Sequence, residues 1–233
     1  MPHLELISFR LCPFVQRAMI LMRYKAIGHE VAFVDLGDPP DWFRELSPSG
    51  RVPLLRVDGQ VSIFESAVIS EYLDEISPPS LMPRDPLARA VNRGWIDYAT
   101  TTLMPLRELT TVDSASALVA SIDGFQRKLV PLEQALGAGP FFNGDAFSLV
   151  DAAYAPLFVR LDYFDATLDD LTPSVRFPKL AVWRAALSGL PAVQNTVGED
   201  FADRMDELVA KRQGYLATLL PQHLKTSGPR RDY

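Results

Sequence analysis

Apolar positions along the first third of the chain alternate between two periods. HLELISF (3–9) is a short apolar strand candidate. Residues 13–26 follow with Phe14, Val15, Ala18, Met19, Leu21 and Met22 at helical spacing, and with Arg17, Arg23 and Lys25 among them. Gly28 stands where a helix C-cap is expected. EVAFVDL (30–36) is rich in strand formers, and WFRELSPSG (42–50) reads as a short helix closed by Pro48 and Gly50. VPLLRV (52–57) and QVSIFE (60–65) flank Asp58-Gly59, the signal of a hairpin with a type I′ turn. SAVISEYLDEI (66–76) is an amphipathic helix with Ser66 at its start. The order βαβαββα, a crossover followed by a hairpin, predicts a mixed four-stranded sheet with helices on its faces.

The pattern then changes. Four prolines fall between 78 and 86, which marks a linker over 79–86. Beyond it no segment has a strand pattern. Helices are expected over 87–111, about 116–136, 148–166, 178–188 and 199–220. Ser148-Leu-Val-Asp151 is a capping box with Asp in the Glu position, so the carboxylate reaches back to the cap. Pro156 lies inside this helix and is expected to kink or interrupt it. The chain thus divides into an α/β domain over 1–78, the linker, an all-helical domain over 87–225 and a disordered tail over 226–233.

Composition narrows the function. The 233 residues are 48% hydrophobic and 22% charged, the balance of an ordinary globule with room for a sizeable core. A net charge of −6 argues against a broad nucleic-acid surface. The first ten residues show no basic-then-apolar leader, and no apolar run approaches the ~18 residues of a membrane span, so neither a signal peptide nor a membrane partner is expected. His3, His29 and His223 are scattered, with no metal-ligand spacing, so no metal is expected. Cys12 is the single cysteine; no internal disulfide can form, and a reducing cytoplasm is the expected location.

That cysteine stands at the N-cap of the first helix, with Pro13 at N1, where a missing N–H has no consequence. The unpaired N–H groups and the positive end of the helix dipole face the sulfur, and Arg10 and Arg17 are placed to add positive potential. Such a site favours the thiolate and lowers a cysteine pKa from ~8.5 into the range of roughly 3.5–7.5. An inert buried cysteine is the alternative. Position 15 is Val, so a Cys-x-x-Cys dithiol cycle is excluded and a monothiol cycle needs an external thiol.

Two further features suit a thiol-bearing peptide. Val52-Pro53 opens the hairpin. A cis bond there would aim the Val52 backbone outward to bond an extended ligand; an ordinary trans proline in a turn is the alternative. Phe64-Glu65-Ser66 puts a carboxylate and a hydroxyl at a strand-to-helix junction, where Glu65 can bind an ammonium and Ser66 with the helix N-terminus a carboxylate. Taken singly, Ser66 is equally an N-cap and Glu65 a solvated charge.

Through CPF, SPSGRVPLL, FESAVISEYLDE, FSLVDAAYAPLFVRL and FPKLAVWRAALSGLPAV, the chain resembles the cytosolic glutathione transferases over about 1–222. The CPF start, FFNGDAFSLVDAAYAPLFVRL, FPKLAVW and RQGYLATLL make it most similar to the omega class and its bacterial relatives. The resemblance implies a thioredoxin-like domain followed by the family's all-helical domain. It implies Cys12 as the catalytic thiol with Phe14 beside it, Val52 pairing with the cysteinyl unit of glutathione ahead of a cis Pro53, and Glu65 and Ser66 holding the γ-glutamyl end. The family's lysine near the glycyl carboxylate is missing, and Arg44 or Arg51 is the substitute. Glutathione is then the co-substrate. The expected reactions are thiol transfer, dehydroascorbate reduction or removal of glutathione from conjugates. A small hydrophobic or disulfide acceptor would lie between the domains, where Trp95, Tyr98 and Tyr215 are candidate walls; core packing is the alternative for each aromatic. A non-catalytic binding protein of this fold and a serine-class conjugating or isomerising transferase stand as the other functional readings. The resemblance also implies a homodimer, with Arg89, Arg93, Glu71 and Glu75 at its seam.

Overall fold

The computed structural model describes residues 1–168 and 171–220; the tail expected over 226–233 lies outside the described residues. The chain begins with β1 (Leu4–Ser8), α1 (Pro13–Tyr24), β2 (Glu30–Phe33), α2 (Asp41–Leu46), β3 (Leu54–Val57), β4 (Val61–Phe64) and α3 (Ser66–Glu75). The sheet runs β2-β1-β3-β4, with β1 parallel to β2 and antiparallel to β3, and β4 closing the edge antiparallel to β3. This is the mixed four-stranded sheet that the crossover and hairpin predict, in the thioredoxin-like arrangement that the resemblance implies. Asp58 and Gly59 both carry positive φ, and Gln60 N–H closes the turn on Val57 O at 3.0 Å, as a type I′ turn requires.

The helical part continues with α4 (Pro86–Glu108), α5 (Ala115–Ala135), α6 (Leu149–Asp165), α7 (Pro178–Ser188), α8 (Pro191–Gln194), α9 (Phe201–Arg212) and α10 (Tyr215–Leu219). The chain folds as two compact units. Of the described residues, one comprises Met1–Ile96 with Ser148–Pro156; the other comprises Asp97–Phe147 and those from Leu157 to Leu220. The core of the first holds Leu4, Leu6, Ile7, Ile20, Leu21, Leu54, Leu55 and Ile69, none more than 1% exposed. The core of the second is aromatic: Trp183 meets Phe158 edge-on at 5.2 Å and lies 5.7 Å from Phe142.

Several local expectations are corrected. The left-handed residue after α1 is Ala26, not Gly28, because the helix stops at Tyr24 with Lys25 as its C-cap. Pro156 does not interrupt α6. It removes the donor for the Ala152 carbonyl, and the next carbonyl, Ala153 O, accepts from Arg17 Nε at 3.0 Å. The single helix expected over 199–220 is two, because Gln213 adopts φ 54° and Gly214 starts α10. Gly214 has to be glycine: a Cβ there would lie 2.6 Å from Thr110 O. No helix among the described residues is long and apolar enough to cross a membrane.

Candidate active site

The sequence positions singled out for chemistry converge on the first unit, at the N-termini of α1 and α3 and the start of the β3 hairpin. Cys12 is the N-cap of α1, with φ −74° and ψ 115°, and Pro13 takes the first helical position. Cys12 N–H donates to Phe9 O at 2.9 Å and its carbonyl accepts from Gln16 N–H at 3.1 Å, which fixes the residue at the mouth of the helix. The thiol is part-buried, not sealed in the core. The Cys12 Sγ donates to Val52 O at 3.8 Å, and the Val52–Pro53 peptide is cis. A thiol and a peptide carbonyl 40 residues apart in sequence therefore face one another.

Glu65 is the N-cap of α3 and no side-chain oxygen closes that cap. Its φ of 70° puts a non-glycine residue in the left-handed region, a conformation that costs of order 1–3 kcal/mol and persists only where its surroundings over-determine it. Its side chain is exposed, whereas Ser66, the first helical residue, is 7% exposed. Ser66 is thus not the cap residue; its Oγ accepts from Arg17 Nη1 at 3.4 Å.

The two arginines near the thiol have other partners than the sulfur. Arg10 lies over the Phe33 ring at 4.4 Å. Arg17, 3% exposed, lies over the Phe14 ring at 5.0 Å while bonding Ser66 and Ala153. The arginine that lies behind both α1 and α3 is the residue that sequence reasoning missed in this role. Its signal was an arginine one turn after Phe14, beside Val15, Ala18 and Leu21 on a buried face.

Of the two candidates for the glycyl carboxylate, Arg44 is bonded to Asp41 at 2.9 Å and lies 3.5 Å from Asp38. The Arg51 side chain makes no ion pair with any described residue, and the Arg51 backbone is pinned by Ser47 Oγ, which accepts from Arg51 N–H at 3.1 Å and donates to Arg51 O at 3.0 Å. Arg51 is therefore the one whose charge is available.

The residues of the proposed acceptor wall are divided between the two units. Trp95 falls in the first unit and Tyr98 and Tyr215 in the second. Tyr98 donates its hydroxyl to Lys128 O at 3.0 Å, and Tyr215 N–H donates to Val112 O at 2.6 Å. Tyr163, on the buried α6, donates to Asp206 at 2.6 Å; burial and that carboxylate push its pKa far up. The four seam charges pair within the chain. Arg93 grips Glu71 through two bonds of 2.7 and 2.8 Å and holds its carboxyl below the usual range, and Arg89 lies 4.0 Å from Glu75.

Two family models match: the N-terminal domain of glutathione S-transferase over residues 11–76 and its C-terminal domain over 107–186. The chain is 31% identical over 189 residues to glutathione S-transferase omega-1 of Sus scrofa, covering 80% of this chain and 77% of that protein. It is 30% identical over 196 residues to the pyrimidodiazepine synthase of Drosophila melanogaster, covering 82% and 79%. Among solved structures, the rice enzyme GST1 in complex with glutathione superposes with a TM-score of 0.80 at 25% identity, covering 91% of this chain and 98% of that one. Glutathione transferase Omega 3C of Trametes versicolor gives 0.73 at 27% identity, covering 84% and 89%. With the sheet order, the helical second half and these matches together, the chain belongs to the glutathione S-transferase family as an omega-like member.

Proposed function

We propose that the protein is a glutathione-dependent thiol transferase, with Cys12 as the nucleophile and glutathione as co-substrate. The observation that carries the reading is the N-cap placement of Cys12 with Val52 O 3.8 Å from its sulfur. A ligand that runs its cysteinyl unit antiparallel to Val52 brings a second sulfur to the first. The rice relative's bound glutathione supports glutathione as that ligand. Val52 and Pro53 meet its cysteinyl backbone, Phe14 lies beside the thiol, and Glu65 takes the γ-glutamyl ammonium. Ser66 with the α3 N-terminus takes the γ-glutamyl carboxylate, and Arg51 takes the glycyl carboxylate.

The cycle has two exchanges. The Cys12 thiolate attacks the glutathionyl sulfur of a mixed disulfide; the Cys12–glutathione bond forms, the old S–S bond breaks, and the released thiolate takes a proton from water. A second glutathione, as thiolate, attacks the glutathionyl sulfur on Cys12. Glutathione disulfide leaves and the Cys12 thiolate returns. The same attack on a glutathionyl thioether whose carbon can leave as a stabilised carbanion would strip glutathione from a conjugate. The α1 N-terminus stabilises the thiolate at both ends of the cycle. A reducing cytoplasm keeps the lone thiol competent.

An activity panel tests the reading: hydroxyethyl disulfide, dehydroascorbate, a phenacyl-glutathione and chlorodinitrobenzene, each with glutathione. Turnover of any of the first three that exceeds conjugation of the last is expected. Conjugation alone would replace the reading with a conjugating transferase, and no turnover with intact glutathione binding would replace it with a binding protein. We also propose a homodimer on the family resemblance, although the charges expected at its seam are paired inside one chain. Light scattering at micromolar concentration is expected to give near twice 25.9 kDa.

A further inference from the structure

Arg17 is a buried cation in the first unit that bonds Ser66 of the candidate site. It stands on α1, five residues after the thiol, and is 3% exposed. Its Nε donates to Ala153 O at 3.0 Å, its Nη1 donates to Ser66 Oγ at 3.4 Å, and its guanidinium covers the Phe14 ring at 5.0 Å. Each partner has a distinct origin. Ser66 begins α3. Phe14 shares the first turn of α1 with the thiol. Ala153 lies in the first turns of α6, in the stretch where Pro156 has removed a donor and where Asp151, fully buried, ties down the Ser148 cap at 2.8 Å. Two of the three Arg17 nitrogens make the bonds to Ala153 and Ser66, and a charge this deep is retained only with such partners. The planar fork of arginine bonds in two directions at once, which a lysine ammonium on its flexible stem does not reproduce.

The consequence concerns the direction of one hydroxyl. A serine hydroxyl has one proton and two lone pairs. With a lone pair of Ser66 Oγ occupied by the Arg17 N–H, the proton is turned away from Arg17, toward whatever anion meets the α3 N-terminus. The positive charge behind the hydroxyl strengthens it as a donor.

We propose that Arg17 is a positioning residue for substrate recognition: anchored on Ala153, it orients and polarises Ser66 so that the hydroxyl donates to the α-carboxylate of the γ-glutamyl group. This rests on the reading of Glu65 and Ser66 as the glutamyl clamp. Arg17 does not touch glutathione; its effect is on discrimination for one carboxylate.

The test compares glutathione with 4-aminobutanoyl-cysteinyl-glycine, the same thiol peptide without the α-carboxylate, in full-length wild type and Arg17→Lys. Wild type should prefer glutathione in KM by about tenfold or more. Arg17→Lys should raise the glutathione KM about tenfold, leave kcat within twofold, leave the KM of the analogue unchanged and leave the rate of Cys12 alkylation unchanged. Equal shifts for the two thiols, or preserved discrimination, would overturn the proposal while the clamp reading stands. A wild type that binds glutathione and the analogue alike would overturn both, because no carboxylate would then be recognised at Ser66. A merely structural role predicts lower thermal stability with the discrimination intact. Should Arg17→Lys not fold, 15N NMR on the unmutated chain reads the same contact. The Arg17 Nε resonance is expected to move on saturation with glutathione and not with the analogue. A resonance indifferent to both, or moved equally by both, would count against the proposal.

Discussion

The helix N-termini of this molecule are finished in two ways. At α4, α5, α6 and α7 they are closed by side chains, while α2, α8, α9 and α10 have no side-chain cap bond from their N-cap residues. Asp85 accepts from Ala88 N–H at 2.8 Å at the start of α4, and Ser114 Oγ from Ala117 N–H at 3.3 Å at α5. At α6 the Asp151 carboxylate reaches back to Ser148 N–H. At α7 the Glu133 carboxylate, from α5, accepts from Lys179 and Leu180 N–H, both at 2.9 Å. The helices that carry the candidate site are finished differently. α1 begins at Cys12 and α3 at Glu65, and at neither does a side chain of the N-cap residue close the end. A closed end spends the orphan N–H groups and the helix dipole on stability. An end left without such a cap offers them to a thiolate or a ligand carboxylate. The two kinds of end should therefore fail differently: substitutions at the closed ends should cost stability with little activity, and at the uncapped ends of α1 and α3 activity with little stability.

The largest effect is expected at Cys12. Cys12→Ser should lower disulfide reduction by about three orders of magnitude or more, because the chemistry passes through that one atom. Its thermal unfolding midpoint should be close to wild type, since the residue makes no cap bond to lose. Conjugation of chlorodinitrobenzene should survive or rise, a serine hydroxyl being able to bond a glutathione thiolate. In the unmodified protein, alkylation of Cys12 should reach half its limiting rate below pH ~8.5, the value for a free cysteine; a midpoint at that value would mean that the α1 N-terminus does not act on the sulfur.

Next comes Glu65. A carboxylate clamping an ammonium is a charge-assisted contact of roughly 1.5–3 kcal/mol, so Glu65→Ala should weaken glutathione binding about 10- to 150-fold in titration calorimetry. Stability should hold or rise slightly for Glu65→Gly, which relieves the positive φ of 70°. Unchanged affinity in Glu65→Ala would show that the ammonium is held elsewhere.

How far this site could be read from sequence follows from what builds it. Cys12-Pro13, Asp58-Gly59 and Ser148 with Asp151 are local devices, in which the residue type states its backbone geometry, and all three appear where expected. Glu65 was legible as a charge but not as a strained N-cap, because no propensity favours φ of 70° at glutamate. Arg17 was legible only as positive charge near the thiol. Its partners lie 49 and 136 residues away, and no local rule reaches them. The buried pair of Lys25 with Asp74 at 2.5 Å, which also ties Ser80 and Leu81 to the end of α3, escaped for the same reason. Trp95, Tyr98 and Tyr215 show the converse: helical spacing placed them on helices, but what an aromatic meets depends on how helices pack, which spacing does not encode.

At the closed ends the effect should appear in stability. Asp151 is fully buried and binds both the N–H and the hydroxyl of Ser148. Asp151→Ala should cost about 2 kcal/mol, the upper end for a cap, and lower the melting midpoint by about 4–8 °C for a chain of this size. Ser114→Ala, at a part-buried cap, should cost about 0.5–1 kcal/mol. Calorimetry measures both. A glutathione KM unchanged in Ser114→Ala would keep the two kinds of end distinct; a large KM change there would dissolve the distinction.

The smallest effect should come from a charge pair that touches no helix end. Arg93 holds Glu71 between the sides of α4 and α3, through two bonds, with the arginine side chain 52% exposed. Solvent and salt screen such a pair, so its contribution is small. Its sign is still fixed. The bond from Arg93 holds the Glu71 carboxyl below the ordinary value, against the opposing effect of partial burial. The folded state therefore binds its proton less readily than the unfolded chain. The stability this supplies is fully present above the unfolded value for glutamate and is lost as pH falls through the lower folded one. Glu71→Gln should lower the melting midpoint slightly at pH 7, and the gap from wild type should close as the pH is taken toward 3, or at neutral pH in 0.5 M salt. Ser114→Ala, whose cap bond involves no ionising group, should keep its gap through both changes. If the Glu71→Gln gap persisted at pH 3, the loss would come from packing along α3 and not from charge; if the Ser114→Ala gap closed in salt, the caps of this molecule would be working through the helix dipole more than through the hydrogen bond itself.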